Sequence, residues 1–493
     1  MKRMKLWPKI RVHWEILFLI TFFIVVYALW SINRHLHFQT DAVDLGIFDQ
    51  ALWHYSHFEA PMSTVKFGTT PGANLLGDHF HPILVFLAPI YWIWKDVSGI
   101  LVAQALAVGI AAWPLYQLAV NRFKKKYFGL AIAFAYLTFI GVQTLIDYEF
   151  HEIAFGLPLF AFAILFLHDK RIKLYFLMIG LSLLVKEDMP LYVAMLGVYG
   201  VIRLRLYKIG LITVGVGLAS YFIITSYIIP FFKKDIFAYE HLPPEIGKTG
   251  LDLVVKSITN PFLVAKAAFY DDHLIKIKTT FNLIGSFAFL PLLSPETLVL
   301  TFPNIAERFL TTLIQRWIIR FQYSAILGVI FAIATINAIS NLLWVSRKLK
   351  IKDKVSSYLL PVVSIVLIIS PLYFTYRNNG PLTRIINPKS YELSQDLKKN
   401  YEVLKMIPSD VSVGAQSSWV PHLSQRKEIY SFEPSLLGRQ SPDYLVLTNL
   451  ETSDSFYKYE ALESFKKEIR SLGTYEVLVD DGVRLLAKKK GLK

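Results

Sequence analysis

Apolar runs of roughly 17–25 residues recur along this chain, the length a helix needs to cross about 30 Å of hydrocarbon. They fall near 15–32, 98–120, 127–146, 153–168, 172–186, 189–203, 209–230, 278–292, 294–306, 319–345 and 356–376. Backbone polar groups in lipid must be satisfied within the segment that carries them, so each run is read as a helix. The pattern predicts a polytopic α-helical membrane protein of about 11 spans. Of the 493 residues, 54% are hydrophobic and none is Cys. Disulfides, thiolate metal sites and Cys nucleophiles are thereby excluded. The basic start MKRMKLWPKIRVHW and the apolar run behind it read as an uncleaved signal anchor, because no small-residue cleavage site follows.

Charge sets the expected orientation. Basic clusters at the N-terminus, Arg122–Lys126, Lys170–Lys173, Arg203–Lys208 and Arg347–Lys354 alternate with acid-bearing stretches at Asp41–His81, Asp147–Glu152 and Lys186–Asp188. The positive-inside rule puts the basic turns and the N-terminus in the cytoplasm and the acidic ones on the outer face of the cell membrane. It also accounts for the net charge of +15 without any nucleic-acid partner. Pro82–Trp94 is apolar but short, and a crossing there would put Arg122–Lys126 outside. It is expected to lie in the membrane interface with Tyr91, Trp92 and Trp94 at headgroup level. Residues 278–306 must cross twice to keep the alternation, as a hairpin broken at Ser294-Pro295.

Two domains follow. Residues 1–376 form the transmembrane domain, with a first outer loop at 33–97 and a long amphipathic outer loop at 231–277. Residues 377–493 hold 18 Lys/Arg against 15 Asp/Glu, a balanced soluble composition. Helix patterns near 389–406 and 455–470 and strand patterns at Val411–Gln416, Glu428–Phe432, Tyr444–Thr448, Tyr475–Val479 and Val483–Ala487 predict a small extracytoplasmic α/β domain.

Between Asp41 and His81 lie five acids (Asp41, Asp44, Asp49, Glu59, Asp78) and four His (His54, His57, His79, His81), with the single Lys66 among them. An acidic island in a basic membrane protein is the first place to look for chemistry. Asp44 precedes the apolar-periodic run LGIFDQALW, which suits a helix N-cap or first-turn acid. A carboxylate just outside the bilayer also suits a general base or a divalent-cation ligand. Asp49 suits a solvated helix face. Asp78, His79 and His81 suit metal or phosphate, against plain polar residues at the membrane boundary. Asp147, Glu149, His151 and Glu152 form a second carboxylate–His group, against an ordinary polar turn. Lys186-Glu187-Asp188 interrupts an apolar stretch, where consecutive charges are costly and mark function. Lys186 is a natural phosphate partner. Arg308, Arg320 and Tyr323 lie near the outer end of a later span, where interface anchoring competes with phosphate binding. No phosphate-binding loop, dinucleotide Gly pattern, zinc ribbon or nucleophile elbow is present.

The ordered set FDQALW, HFHPILVFLAPIY, EFHEIAF, KEDMPLYV, TFPNIAERF with a later FQY, and VSVGAQSSWVPHLSQRKEIYSF with DYLVL spans nearly the whole chain. It resembles a family of predicted polytopic membrane proteins defined as a domain of unknown function, and is similar to the GT-C glycosyltransferase superfamily. The resemblance implies a multi-span bundle, a catalytic acid and interfacial helices in the first outer loop, a lipid-phosphate-linked sugar donor and a C-terminal soluble domain. It places Asp44 at the first-loop acid, His79 at the polar group of the second interfacial helix, and His151 and Glu152 in the acidic group of the second outer loop. Superfamily members often carry adjacent acids in the first loop, whereas Asp44 and Asp49 are five residues apart. The identity of the base and any metal requirement stay open.

Three readings follow. An enzyme would move a sugar, with inversion, from a polyprenyl-phosphate donor to a glycan, lipid or protein acceptor at the outer face. Asp44 would be catalytic, and His79, His151, Lys186, Arg308 and Tyr323 would bind the donor phosphate. Asp49, Asp78, His81, Glu149 and Glu152 are candidate ligands for Mg²⁺ or Mn²⁺, with Glu187 and Asp188 beside them. A lipid or solute transporter would line a pathway with the same charges. Against it, no pair of Gly/Pro-broken spans signals inverted repeats, and the charges gather at one face. A scaffold would use the C-terminal domain to bind a partner.

Overall fold

The computed structural model describes residues 13–70, 73–234, 242–270, 272–350, 353–432, 436–450 and 459–492. The basic stretch 1–12, residues 235–241 of the long loop, residues 351–352 of the Arg347–Lys354 cluster and the start of the helix expected from 455 lie outside them.

The apolar runs wind into helices. In chain order the main ones are α1 (Trp14–Leu36), α2 (Ile47–Ser56), α3 (Ser98–Phe123), α4 (Lys126–Leu137), α5 (Ile140–Asp147), α6 (Ile153–His168), α7 (Ile172–Ser182), α8 (Met189–Ile202), α9 (Tyr207–Lys233), α10 (His273–Gly285), α11 (Phe302–Phe309), α12 (Gln322–Lys348) and α13 (Ser357–Arg377). Five of them, α1, α3, α9, α12 and α13, are long and apolar enough to cross a membrane, and a sixth span results if α4 and α5 count as one, bent by 44°. The bend frees two carbonyls, and side chains satisfy both. Gln143 donates to the Thr138 carbonyl at 2.5 Å and the Tyr27 hydroxyl to that of Leu137. Helices α6, α7 and α8 occupy positions expected for spans but are shorter; at 1.5 Å per residue, 16 residues reach only about 24 Å.

The expected hairpin at 278–306 differs in form. Helix α10 ends where Ala288 and Phe289 turn left-handed (φ 53° and 60°), and Pro291, Pro295 and Pro303 confine the return arm to short turns before α11. The fold-back itself is present. Asn341, towards the C-terminal end of α12, donates to Leu293 O at 3.1 Å, whereas Asn304 reaches Tyr323 O at the other end at 2.7 Å. The two arms are therefore not two spanning helices.

The alternation of basic and acidic turns holds in space. Arg122 donates to Ser340 Oγ at 3.0 Å, Arg203 to Asn341 at 2.9 Å, and Asn121 to Asp169 at 3.3 Å, gathering the basic turns at one end. At the opposite end Trp30, Arg34 and Arg384 converge on Asp147. Pro82–Trp94 keeps both its ends there: Tyr91 bonds Asp49, and the following helix sends Gln104 to Glu149 O. Phe86, Trp92 and Ile93 are exposed along it.

Residues 395–492 form the expected α/β unit. Strands β1 (Val413–Ala415), β2 (Ile429–Ser431), β3 (Tyr444–Thr448), β4 (Tyr475–Asp480) and β5 (Arg484–Lys489) are ordered β2-β1-β3-β5-β4. The first three are parallel, and β5 is antiparallel to both β3 and β4. Every residue of β3 is buried, as expected of a central strand covered on both faces. Helices Gln395–Leu404 and Tyr459–Ser471 flank the sheet in sequence. The unit docks on the first loop. Phe38 packs against Trp419 and His422, the Thr64 hydroxyl donates to Ile429 O at 2.6 Å, and Ala42 N donates to Ser417 Oγ at 3.1 Å.

Candidate functional site

The loop between α5 and α6 is the floor of the site. Gln104 of α3 clamps it, donating to Glu149 O at 2.6 Å and accepting from His151 N at 2.8 Å. Glu149 sits left-handed (φ 60°), and this turn aims its carboxylate at the first loop. There it accepts from the amides of Asp41 (2.7 Å) and Leu45 (2.9 Å), the otherwise orphaned donors at the start of the π-helical turn Ala42–Gly46. A buried carboxylate thus caps an element more than a hundred residues away in sequence. Burial, with Asp41 and Asp44 nearby, pushes its pKa well up.

That cap fixes Asp44, which is half-buried on the turn and close enough to the Tyr148 hydroxyl to raise its pKa, burial being the larger cause. The Tyr148 ring stacks on His151 (centroids 5.6 Å apart, 10° between planes) and meets the edge of Phe321 at 4.5 Å. His151 is 3% exposed with Nε2 unpartnered. Burial lowers its pKa, so the neutral ring is favoured.

Next to it lies the buried pair Lys186–Glu152, 2.8 Å apart. Burial works to raise the pKa of Glu152, but Lys186 and the imidazoles of His151, His81 and His79 prevail and hold it at about 2. Burial likewise works against a charged Lys186, and Glu152, Glu187 and Asp188 overcome it. Glu187 accepts from His79 Nδ1 at 2.8 Å and from Phe80 N at 3.1 Å, tying the Gly77–Pro82 stretch to the turn after α7. Burial opposes charge on His79, but Glu187 raises its pKa to about 9; the ring is 40% exposed, so solvent screens the pair. His81 is 1% exposed with both ring nitrogens unpartnered, and burial lowers its pKa to about 4.

The third side comes from α11 and the turn before α12. Glu307 pairs with Arg316 at 2.7 Å, and Arg316 lies over the Tyr323 ring at 5.5 Å. Asp188 has one buried carboxylate oxygen unpartnered, and burial together with Glu307 drives its pKa upward.

Of the residues singled out in the sequence, Asp44, His79, His81, His151, Glu152, Lys186, Glu187, Asp188 and Tyr323 belong to one connected polar cluster. Three stand differently. Asp49 is fully buried away from solvent, accepting from Ser424 (2.5 Å), Tyr91 (2.5 Å) and Gln425 (3.3 Å), so the expectation of a solvated helix face is corrected. Asp78 stands at the edge of the cluster, pairing with Lys66 at 3.2 Å and reaching His79 Nε2 at 3.9 Å. Arg308 directs its guanidinium to Arg316 O, Trp317 O and Ser324 Oγ, bracing the 316–324 turn. Tyr148, Glu307 and Arg316 were not singled out. Only the flanking acids 147 and 149 hinted at Tyr148, and NIAERF reads as a plain amphipathic helix end.

Among the described residues no three His, Asp or Glu side chains converge as a metal site. The candidate ligands Asp49, Asp78, Glu149 and Glu152 are engaged by hydroxyls, Lys66, backbone amides and Lys186 respectively. As arranged, these donors together with His81 do not make a site for Mg²⁺ or Mn²⁺.

No curated protein sequence matches this chain significantly. The fold is similar to the crystal structure of ArnT from Cupriavidus metallidurans bound to undecaprenyl phosphate, with a TM-score of 0.50 and 10% identity, over 96% of this chain and 97% of that one. At that identity the likeness is one of fold alone. The family model described as Predicted membrane protein (DUF2079) matches residues 34–481, and the chain belongs to that family.

Proposed function

We propose that this protein transfers a sugar from a polyprenyl-phosphate-linked donor to an acceptor hydroxyl. The reaction takes place at the end of the bundle where the first loop meets the C-terminal domain. That end faces out of the cytoplasm, because the basic turns gather at the other. The observation that carries the proposal is the buried Lys186–Glu152 pair beside Asp44, Tyr148 and His151. It occurs in a chain folded like a protein solved with undecaprenyl phosphate.

Asp44 takes the acceptor proton as the acceptor oxygen attacks the anomeric carbon from the face opposite the phosphate. The new C–O bond forms, the bond from that carbon to the phosphate oxygen breaks, and polyprenyl phosphate leaves with the electron pair. Lys186, His79 and Arg316 stabilise the charge on the leaving phosphate. Asp44 is only half-buried and is in no ion pair among the described residues, while Glu149 and Glu152 are occupied by amides and Lys186.

The test is radiolabelled sugar transfer from polyprenyl-phosphate donors by protein reconstituted in vesicles. Product that requires Asp44 supports the proposal. Movement of lipid or solute with no glycosyl product from any donor overturns it in favour of a transporter.

A further inference from the structure

A second feature lies apart from the charged cluster. Between α1 and α13 is a cavity of about 480 Å³, within the usual size of a small-molecule site. Phe22, Val26 and Leu29 of α1, Phe134 of α4 and Leu372 of α13 line it, and Tyr391 closes its polar end. Its threonine hydroxyls are engaged within the fold: Thr138 donates to Phe134 O, and Thr375 accepts from Gln143. What the cavity offers a ligand is apolar surface, open between two helices of spanning length where Phe22 and Leu29 are exposed.

The rim is cationic. Arg384, between the lining residues Thr383 and Ile385, lies over the Trp30 ring at 5.6 Å with its side chain 46% exposed. It pairs with Asp147 at 2.6 Å, but Arg34 approaches the same carboxylate at 3.7 Å, so two guanidiniums share one acid. From Arg377 to Tyr391 the chain carries Arg377, Arg384 and Lys389 and no acid, and Lys389 is exposed. Trp30 and Tyr391, in edge contact at 6.1 Å, stand where aromatic residues mark a membrane–water boundary.

We infer that this cavity is a binding site for an anionic phospholipid. One acyl chain occupies the space between α1 and α13, and the phosphate sits on Arg384 and Lys389. An apolar tunnel ending in excess positive charge complements an anionic headgroup more than a zwitterionic one, by about tenfold, with Lys389 at full effect and Arg384 partly offset by Asp147. The lipid joins the first span to the last span and to the linker into the C-terminal domain. It is distinct from the donor, whose phosphate belongs at Lys186, so the inference stands whether or not the protein transfers sugar.

The test uses the full-length protein delipidated in detergent, with phosphatidylglycerol or phosphatidylcholine added back. Bound lipid is counted by native mass spectrometry, and stability is followed by thermal unfolding. The expected result is one phosphatidylglycerol retained, about tenfold tighter than phosphatidylcholine, with a rise in Tm of several degrees. Lys389→Gln, which leaves the Asp147 pair intact, should weaken this preference. Arg384→Gln with Lys389→Gln should abolish it, and Leu372→Trp should remove binding by filling the cavity. Equal binding of the two lipids, or an unchanged preference in both Lys389→Gln and Leu372→Trp, overturns the inference. So does displacement of phosphatidylglycerol by equimolar undecaprenyl phosphate, which would make the cavity part of the donor site.

Discussion

Asp44 and Lys186 sit in the same cluster but depend on it differently, and their substitutions should separate accordingly. The turn that carries Asp44 is capped by Glu149, and its N-cap position is Asp41, not Asp44. Asp44→Asn should therefore leave expression and Tm unchanged while lowering sugar transfer by roughly 10²–10⁴-fold, the usual worth of a general base. A fully active variant would remove Asp44 from the mechanism. Lys186 has a structural role beside the one proposed for it, because it is the ion-pair partner at 2.8 Å of Glu152, which is 1% exposed with its other oxygen unpartnered. Lys186→Met should cost about 3–5 kcal/mol by leaving a buried carboxylate unpaired. Adding Glu152→Gln should recover much of the Tm but not the transfer. If the double variant is no more stable than the single one, the pair is not what holds the loop to α8. His79 adds a pH signature. Its pKa is raised to about 9 from an ordinary 6.5, so the stability it brings through Glu187 is complete below 6.5 and is lost as pH rises through 9. The wild-type Tm should fall across that window, and that of His79→Gln should fall less.

Among the elements, the α8–α9 hairpin holds the Lys186-Glu187-Asp188 turn in place. Its helices touch backbone to backbone through three glycines. A Cβ on Gly197 would meet Gly210 O at 2.6 Å, one on Gly210 would meet Gly197 O at 2.7 Å, and one on Gly217 would meet Pro190 O and Ala194 N, both at 2.6 Å. Such contacts are how apolar helices associate where lipid gives no hydrophobic drive. Gly217 lies against the first turn of α8, directly after Asp188, so Gly217→Leu should push that turn away from α9. The expected outcome is a lower Tm in detergent together with weaker donor dependence of transfer, read as a rise in KM. Gly215→Leu on the same helix is its control, because a Cβ there meets nothing within 4 Å. Equal behaviour of the two variants would show that close approach is not needed. The sequence announced α8 and α9 by hydropathy but not this contact, since glycines spaced along two apolar runs do not say which faces meet.

At the scale of the whole molecule, what was legible followed period and charge. All five expected strands appear, each within two residues of the expected bounds, because alternation and turn residues are local signals. The charged turns share one end because each crossing reverses the chain, so loop parity alone brought His79, His151 and Lys186 together. The span count was less legible, because α6 to α8 are short and the 278–306 segment is broken by prolines that hydropathy averages away. Contacts between the first loop and the C-terminal domain were invisible, because they join residues far apart in sequence with no shared pattern. Asp49 and Ser424, separated by 375 positions, are the central case.

The Asp49 carboxylate lies in a sealed joint. Burial raises its pKa to about 6 although Ser424, Tyr91 and Gln425 all donate to it. An acid whose folded pKa lies above its ordinary 3.8 stabilises fully below that value and loses the contribution as pH rises through 6. The joint between the first loop and the docked domain therefore carries an ionised, incompletely compensated carboxylate at neutral pH. Asp49→Asn keeps one oxygen to accept from Tyr91, turns its NH2 towards the Ser424 hydroxyl, which can accept while donating to Pro421 O, and never ionises. It should raise the Tm and protect the first loop from protease at pH 7–8, while gaining nothing at pH 4. Asp49→Ala leaves both hydroxyls without their acceptor and should destabilise the joint at every pH. Thermal unfolding and limited proteolysis from pH 4 to 8 read all three proteins together. Curves for wild type and Asp49→Asn that stay parallel over that range would mean that Asp49 does not change ionisation in the joint.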